Sequence, residues 1–282
     1  MCDAGCYVPE DEQTGAAHFE MERIMIFETH SHYDDDRFND DRETLLSSMP
    51  EKGIERIINV GTSVASVKTT LALAEKYDFI YAAAGVHPSE IQDLNEEAYQ
   101  WLREQALREK TVAIGEIGLD YAWEKEPDGQ ERQRYWMKRQ LELAHETGLP
   151  VIIHSRDAAA DTLAVMREAN AETIPGVIHC YSYSGELAQE FIKMGYYIGV
   201  GGVVTFKNAK KLKETVEMIP LERILLETDC PYMAPEPHRG ERNDSSNLPF
   251  VVAKIAELKG ITPEEVERIT GENARKLFPK VR

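Results

Sequence analysis

Short apolar runs alternate with longer amphipathic stretches along most of the chain. The apolar runs have the length and the β-branched content of buried strands. They cover residues 24–32, 56–61, 80–87, 111–120, 151–156, 176–181, 196–202 and 224–230. Between them, apolar residues recur at spacings of three and four, which is typical of helices packed on one face. These helical stretches cover residues 64–77, 96–108, 130–147, 158–169, 186–194 and 207–218.

The alternation of strand and helix predicts an α/β protein with a parallel sheet. Eight strand runs in a chain of 282 residues favour a single closed (β/α)₈ TIM barrel over an open sheet. Local stop and start signals support the boundaries: Gly148 precedes a strand, and Thr262 followed by Pro263 predicts a helix start.

Residues 1–23 carry no apolar periodicity and are rich in acidic residues, so we predict a flexible acidic leader there. The barrel is then expected to span residues 24–282. No apolar run approaches the roughly 20 residues that cross a bilayer, and the amino terminus lacks the pattern of a secretory signal. We therefore expect a cytoplasmic protein that does not engage a membrane.

The charge balance narrows the range of partners. With 32 basic and 50 acidic residues, the net charge of −18 argues against a protein that coats long nucleic acid. A nucleic acid that is short or engaged locally stays compatible with this charge. The four cysteines are too few for a disulfide scaffold, and reduced thiols are expected.

Polar residues interrupt the apolar runs where the strands are expected to end. His30 and His32 are two residues apart, so both side chains leave the same face of their strand. The same placement recurs in four other runs, at Glu116, His154, His179 and Asp229. Imidazoles and carboxylates gathered in one barrel mouth would be poorly solvated, and a divalent cation would compensate them.

The sequence therefore predicts one or two divalent ions held by these six residues. Nitrogen ligands with carboxylates suit Zn²⁺, Mn²⁺ or Fe²⁺, whereas Mg²⁺ prefers more oxygen, and the residues do not select among them.

Basic residues near the same mouth suggest a phosphate group in the substrate. Arg156 lies two residues after His154, and guanidinium groups suit phosphate oxygens. His87 is expected to face the mouth and to contact substrate. Further candidates for substrate binding are Lys207, which is expected to start a helix, and Arg239 and Arg242 in the loop after the eighth strand.

With those residues in place, residues 24–278 resemble the TatD family of metal-dependent deoxyribonucleases. The resemblance rests on several motifs in order: GVHP at 85–88, GEIGLDY at 115–121, HSRDA at 154–158, HCYS at 179–182, GGVVTF at 201–206 and ETDCP at 227–231. Three positions depart from the usual pattern of the family: Glu28, Tyr183 and Glu241.

The resemblance implies a (β/α)₈ barrel that hydrolyses phosphodiester bonds in DNA and releases nucleotides from an end. It also implies that the carboxylate of Glu116 is shared between two ions. His30, His32 and Asp229 would hold the first ion, and His154 and His179 the second.

Three functional hypotheses follow. In the first, the protein is a phosphodiesterase acting on single-stranded DNA or DNA ends, with Asp229 and Glu116 as catalytic residues and Asp229 as the proton acceptor. In the second, the same metal centre promotes hydrolysis of an amide, lactone or ester, with a carbonyl carbon as the electrophile. This hypothesis stays open because the fold supports both chemistries. In the third, the barrel is a metal-stabilised scaffold without activity. No obligate protein partner is evident from the sequence.

Overall fold

The computed structural model describes residues 25–282, and its architecture is a single parallel β-barrel surrounded by helices. Eight strands are hydrogen-bonded in sequence order. They are β1 (Ile26–Ser31), β2 (Ile54–Val60), β3 (Ile80–Ala83), β4 (Thr111–Asp120), β5 (Val151–Arg156), β6 (Gly176–Ile178), β7 (Tyr197–Val200) and β8 (Ile224–Leu226). Ser31 forms a parallel bridge with Cys230, so the ends of β1 and β8 meet and close the barrel. The predicted TIM barrel is confirmed.

Helices follow the strands and cover the outside of the barrel. They are α1 (Arg42–Ser48), α2 (Val64–Lys76), α3 (Glu96–Ala106), α4 (Pro127–Thr147), α5 (Ala159–Glu168), α6 (Gly185–Lys193), α7 (Lys210–Met218), α8 (Leu248–Lys259) and α9 (Pro263–Leu277). The leader predicted for residues 1–23 lies outside the described residues.

Two local predictions are confirmed and one boundary was wrong. Gly148 ends α4 with a φ of 68°, a left-handed conformation that glycine adopts without steric cost. Thr262 caps α9 in a capping box with Glu265. Lys207 was expected to start α7, but that helix begins at Lys210, because a 3-10 turn and a short loop follow β7 first.

The strands carry both the apolar core of the barrel and a set of buried polar residues. All residues of β1 and β4 are buried, with apolar side chains packed between the barrel and the helices. The buried polar residues of the proposed site cluster toward the carboxyl ends of the strands, where active sites of this architecture lie. Within residues 25–282, none of the helices combines the length and apolar character that a membrane span requires.

Candidate metal centre

The structure brings the six predicted ligands into one buried cluster at the carboxyl ends of the strands. The Nε2 atoms of His30 and His32 lie 3.1 Å apart. His32 Nε2 also lies 3.3 Å from Oδ1 of Asp229, which follows β8 and is next to β1 in the closed barrel. These three residues form one group whose ligand atoms could surround a single ion.

Glu116 lies between the two sets of histidines. Its Oε1 atom is 2.7 Å from Nδ1 of His154 and 2.7 Å from Nε2 of His179. Its Oε2 atom faces the other way and is 3.5 Å from Nε2 of His30. Because each oxygen faces a different set of histidines, this carboxylate could contribute a ligand atom to either set.

The donor atoms fit a divalent ion. Two ligands about 2.1 Å from one tetrahedral ion lie about 3.4 Å apart, close to the separations of 3.1 and 3.3 Å around His32. Nδ1 of His30, Nδ1 of His179 and Oε2 of Glu227 are buried without a hydrogen-bond partner among the described residues. Such a cluster of incompletely satisfied polar atoms is unfavourable unless a charge compensates it.

Electrostatics within the cluster support the same reading. Burial lowers the pKa of His30 to about 4. Burial also lowers the pKa of His179, but the charge of Glu116 outweighs it and raises the net value to about 10. Burial opposes ionisation of Glu116 too, yet the neighbouring histidines hold its pKa well below the usual range. The carboxylate of Glu116 thus favours positive charge beside it, which a divalent ion could supply in place of protons.

The backbone at two ligand-bearing strand ends is strained. Asp229 has a φ of 56°, and Cys180, which follows His179, has a φ of 44°. Non-glycine residues adopt this left-handed region at a cost of about 1–2 kcal/mol. The hydrogen bond from the backbone N–H of Asp229 to the carbonyl oxygen of His30, at 3.0 Å, holds the strained residue against β1. Strain of this kind concentrates at functional sites.

Two buried glutamates lie beneath the ligands. Oε1 of Glu28 accepts hydrogen bonds from the backbone N–H groups of His30 and Thr228, and its Oε2 accepts one from Ser245. Glu28 therefore ties β1 to the segment after β8, and burial raises its pKa to about 8. Glu227 lies 3.8 Å from Nδ1 of His179, on the side of the ring away from Glu116.

Two of the predicted substrate contacts lie at the rim of this cluster. Arg156 ends β5, is exposed, and has its guanidinium 5.9 Å from the ring of Trp123. His87 lies 3.7 Å from Glu116, and its side chain is 15% exposed, so it is accessible from the mouth.

The other three basic candidates for substrate binding differ in the contacts that their side chains make. Lys207 is exposed in the loop before α7. The guanidinium of Arg239 packs over Phe206 at 4.3 Å. Arg242 donates two hydrogen bonds to Asp41, at 2.7 and 2.6 Å, so its charge is already paired.

Sequence reasoning assigned no role to two residues that lie beside predicted site residues, Trp123 beside Arg156 and Asp120 beside His154. Trp123 is 75% exposed in the loop after β4, and a tryptophan within a charged loop could have indicated it. Asp120 is buried with its carboxylate 3.2 Å from His154. Tyr183, one of the three departures from the family pattern, is hydrogen-bonded to Ser155 at 3.0 Å and holds the loop after β6 against β5.

Barrel and ligand cluster together define a metal-dependent hydrolase, and comparison with known proteins identifies the family. Residues 27–279 match the model of the family described as TatD related DNase. The chain is similar to the uncharacterized metal-dependent hydrolase YabD of Bacillus subtilis, with 45% identity over 90% of this chain and 99% of the relative. The chain belongs to the TatD family of metal-dependent hydrolases.

Other relatives agree with this assignment. The uncharacterized metal-dependent hydrolase YcfH of Escherichia coli is 34% identical over 90% of this chain and 96% of the relative. The crystal structure of the TatD homologue YjjV of Escherichia coli superposes with a TM-score of 0.82 at 33% identity, covering 90% of this chain and 98% of that one.

Proposed function

We propose that this protein hydrolyses phosphodiester bonds in DNA and releases nucleotides from an end, using one or two divalent ions. The observation that carries the proposal is the position of Arg156, an exposed cation two residues beyond the ligand His154 on the same strand. A guanidinium beside a metal centre suits a phosphodiester substrate, because it stabilises charge that develops on the phosphoryl oxygens. The family description, TatD related DNase, supports the same substrate.

The proposed ligands divide as the resemblance implied. His30, His32 and Asp229 would hold the first ion, His154 and His179 would hold the second, and Glu116 would contribute to both sites. When bound, such ions lower the pKa of water and polarise the phosphoryl group.

Asp229 is the proposed proton acceptor. Its side chain is 17% exposed, against 4% for Glu116, so it is the ligand carboxylate more accessible to an attacking water. Glu116 is proposed to act by holding the ions in place. A carboxylate that contacts both the centre and solvent can accept the proton of water as it attacks phosphorus.

Single-stranded ends of DNA are the proposed form of the substrate. The exposed ring of Trp123 lies beside Arg156 and offers a surface on which a base could stack. His87, Arg239 and Lys207 are proposed to contact the phosphate backbone, whereas Arg242 is proposed to act indirectly by securing the loop that carries Arg239. A local set of cations is compatible with a net charge of −18, because only the mouth needs to attract phosphate.

Zn²⁺, Mn²⁺ and Fe²⁺ are the ions favoured by four imidazole ligands, with Mg²⁺ less favoured. The cytoplasmic location expected from the sequence stays a prediction.

The test is a comparison of substrates under identical conditions. Purified protein with Mn²⁺ or Mg²⁺ is incubated with end-labelled single-stranded DNA and, in parallel, with a panel of esters, lactones and amides. We expect progressive release of nucleotides that stops on addition of a chelator. Turnover of the carbonyl compounds without turnover of DNA would contradict the proposal and favour the carbonyl hydrolase. A protein that binds metal but turns over none of them would favour the scaffold.

A further inference from the structure

Among the four proposed histidine ligands, His154 is the one with a side chain within hydrogen-bond distance of each ring nitrogen in the described part of the chain. Nδ1 faces the centre, 2.7 Å from Glu116 Oε1 and 3.4 Å from His179 Nε2. On the opposite side of the ring, Nε2 lies 3.2 Å from Oδ2 of Asp120. Asp120 ends β4 and is only 2% exposed, so the contact is shielded from water.

The carboxylate of Asp120 is itself held in one orientation. Its Oδ1 atom accepts hydrogen bonds from the backbone N–H groups of Ala122 and Trp123, at 2.9 and 3.2 Å. Its own backbone N–H donates to the side chain of Gln133 on α4, at 2.9 Å. With Oδ1 occupied, Oδ2 is directed at His154.

The close approach of β4 to β5 depends on a glycine between the ligand and this carboxylate. Gly118 pairs with His154 and has a φ of 151°. A Cβ atom at this position would lie 1.9 Å from the carbonyl oxygen of His154. The glycine therefore allows Asp120, two residues later, to reach the imidazole.

We propose that Asp120 is a positioning residue that holds His154 with its proton on Nε2 and its lone pair on Nδ1, directed at the metal centre. A carboxylate accepts a hydrogen bond from the N–H of the outer nitrogen, so it fixes both the tautomer and the orientation of the ring. The inference rests on the proposed role of His154 as a metal ligand.

A third ion is the competing explanation, because ligand atoms of His87, Asp120 and His154 lie within 4.8 Å of one another. The hydrogen bonds argue against it. Nδ1 of His87 lies 2.8 Å from Oγ of Ser89 and accepts from the backbone N–H of Ser89 at 3.1 Å. A backbone N–H can only donate, so Nδ1 offers it a lone pair and the neutral ring carries its proton on Nε2. The nitrogen that faces the mouth is then a donor rather than a metal ligand.

The first experiment uses the unsubstituted protein. Protein labelled with ¹⁵N in its histidines and loaded with Zn²⁺ is examined by NMR, which distinguishes protonated from metal-bound ring nitrogens. We expect His154 to show a proton on Nε2 and zinc on Nδ1. Zinc on Nε2, or three zinc ions per chain, would overturn the proposal.

The second experiment measures zinc affinity by competition with a chelator in Asp120→Asn. An amide cannot accept from the two backbone N–H groups through one atom and also accept from His154 through the other, because its second atom is a donor. We expect zinc affinity to fall by about 10- to 100-fold, as for other carboxylates behind a histidine ligand.

The matched control is Asp161→Asn, which removes the same charge from α5, where Asp161 pairs with Tyr121 and Arg134 and contacts no proposed ligand. Unchanged affinity in the control supports the proposal. Equal losses in both variants, or affinity in Asp120→Asn within twofold of the parent, would overturn it. If Asp120→Asn does not fold, the NMR result on the parent decides. None of these readouts uses a substrate, so failure to cleave DNA would refute the proposed function and leave this inference standing.

Discussion

Nδ1 of His32 lies 2.8 Å from the carbonyl oxygen of Val60 on the neighbouring strand β2. A carbonyl oxygen only accepts, so Nδ1 carries a proton, and in the neutral ring the lone pair is on Nε2, which faces His30 and Asp229. The partner is a backbone atom, and its position is fixed by the pairing of β1 with β2. The barrel itself therefore orients this ligand.

We expect purified protein to carry bound transition metal and His32→Ala to lose most of the ion shared with His30 and Asp229. Clustered imidazoles and carboxylates bind such ions tightly, and the two ligands left in this group after the substitution would bind the ion less well. Elemental analysis measures the metal directly. His145→Ala is the control, because His145 lies on α4 and bonds to the carbonyl oxygen of Ala169 instead. Less than about 0.2 equivalent per chain in the parent, with no uptake of added Zn²⁺ or Mn²⁺, would contradict a metal centre.

Arg156→Ala is expected to lower kcat/KM on DNA by about 10²-fold while leaving the metal content unchanged. The reason is that removal of a group stabilising charge in the transition state costs activity on this scale. Arg132→Ala, an exposed arginine on α4, serves as the control. Loss of metal from Arg156→Ala would instead indicate that Arg156 holds the metal ligands in position.

Trp123→Ala is expected to raise KM for single-stranded DNA by about tenfold with little change in kcat. Stacking of a base on an aromatic ring contributes about 1–3 kcal/mol, and the ring is remote from the reacting bond. Trp123→Phe keeps a stacking surface and should retain most of the affinity. Equal KM values in the parent and Trp123→Ala would remove the ring from substrate binding.

Arg242→Ala and Asp41→Ala are expected to have similar, small effects on stability, because their ion pair is partly exposed. Such pairs contribute about 1 kcal/mol or less. A double-mutant cycle of chemical unfolding measures the coupling. On DNA, Arg242→Ala should reduce kcat/KM much less than Arg156→Ala does. A loss as large as that of Arg156→Ala, without the same loss in Asp41→Ala, would show direct contact with substrate.

The sequence predicted the barrel because its elements repeat with a strong alternation of apolar strands and amphipathic helices. It missed α1 and α8. Helix α1 has only seven residues, and α8 begins with Leu248 and Pro249 after a long irregular loop, where periodicity gives little signal.

The six ligands were predictable because each interrupts one of the apolar runs of the sequence, and all six lie together in the structure. Their outer partners were not predictable. Whether Asp120 meets His154 depends on the register of β4 against β5, and the pairing of Arg242 with Asp41 joins segments 201 residues apart. Such long-range relationships leave no local pattern in the sequence.

The central claim is that a metal centre containing Asp229 hydrolyses DNA, and Asp229→Asn tests it most directly. Asparagine keeps the size of the side chain and one ligand oxygen but removes the charge that accepts a proton. Metal content and kcat on end-labelled single-stranded DNA are measured on the same preparation. We predict that the variant keeps most of its metal and loses about 10²- to 10⁴-fold in kcat, the usual contribution of a positioned base. A variant that keeps its metal and nearly all of its kcat would contradict the account.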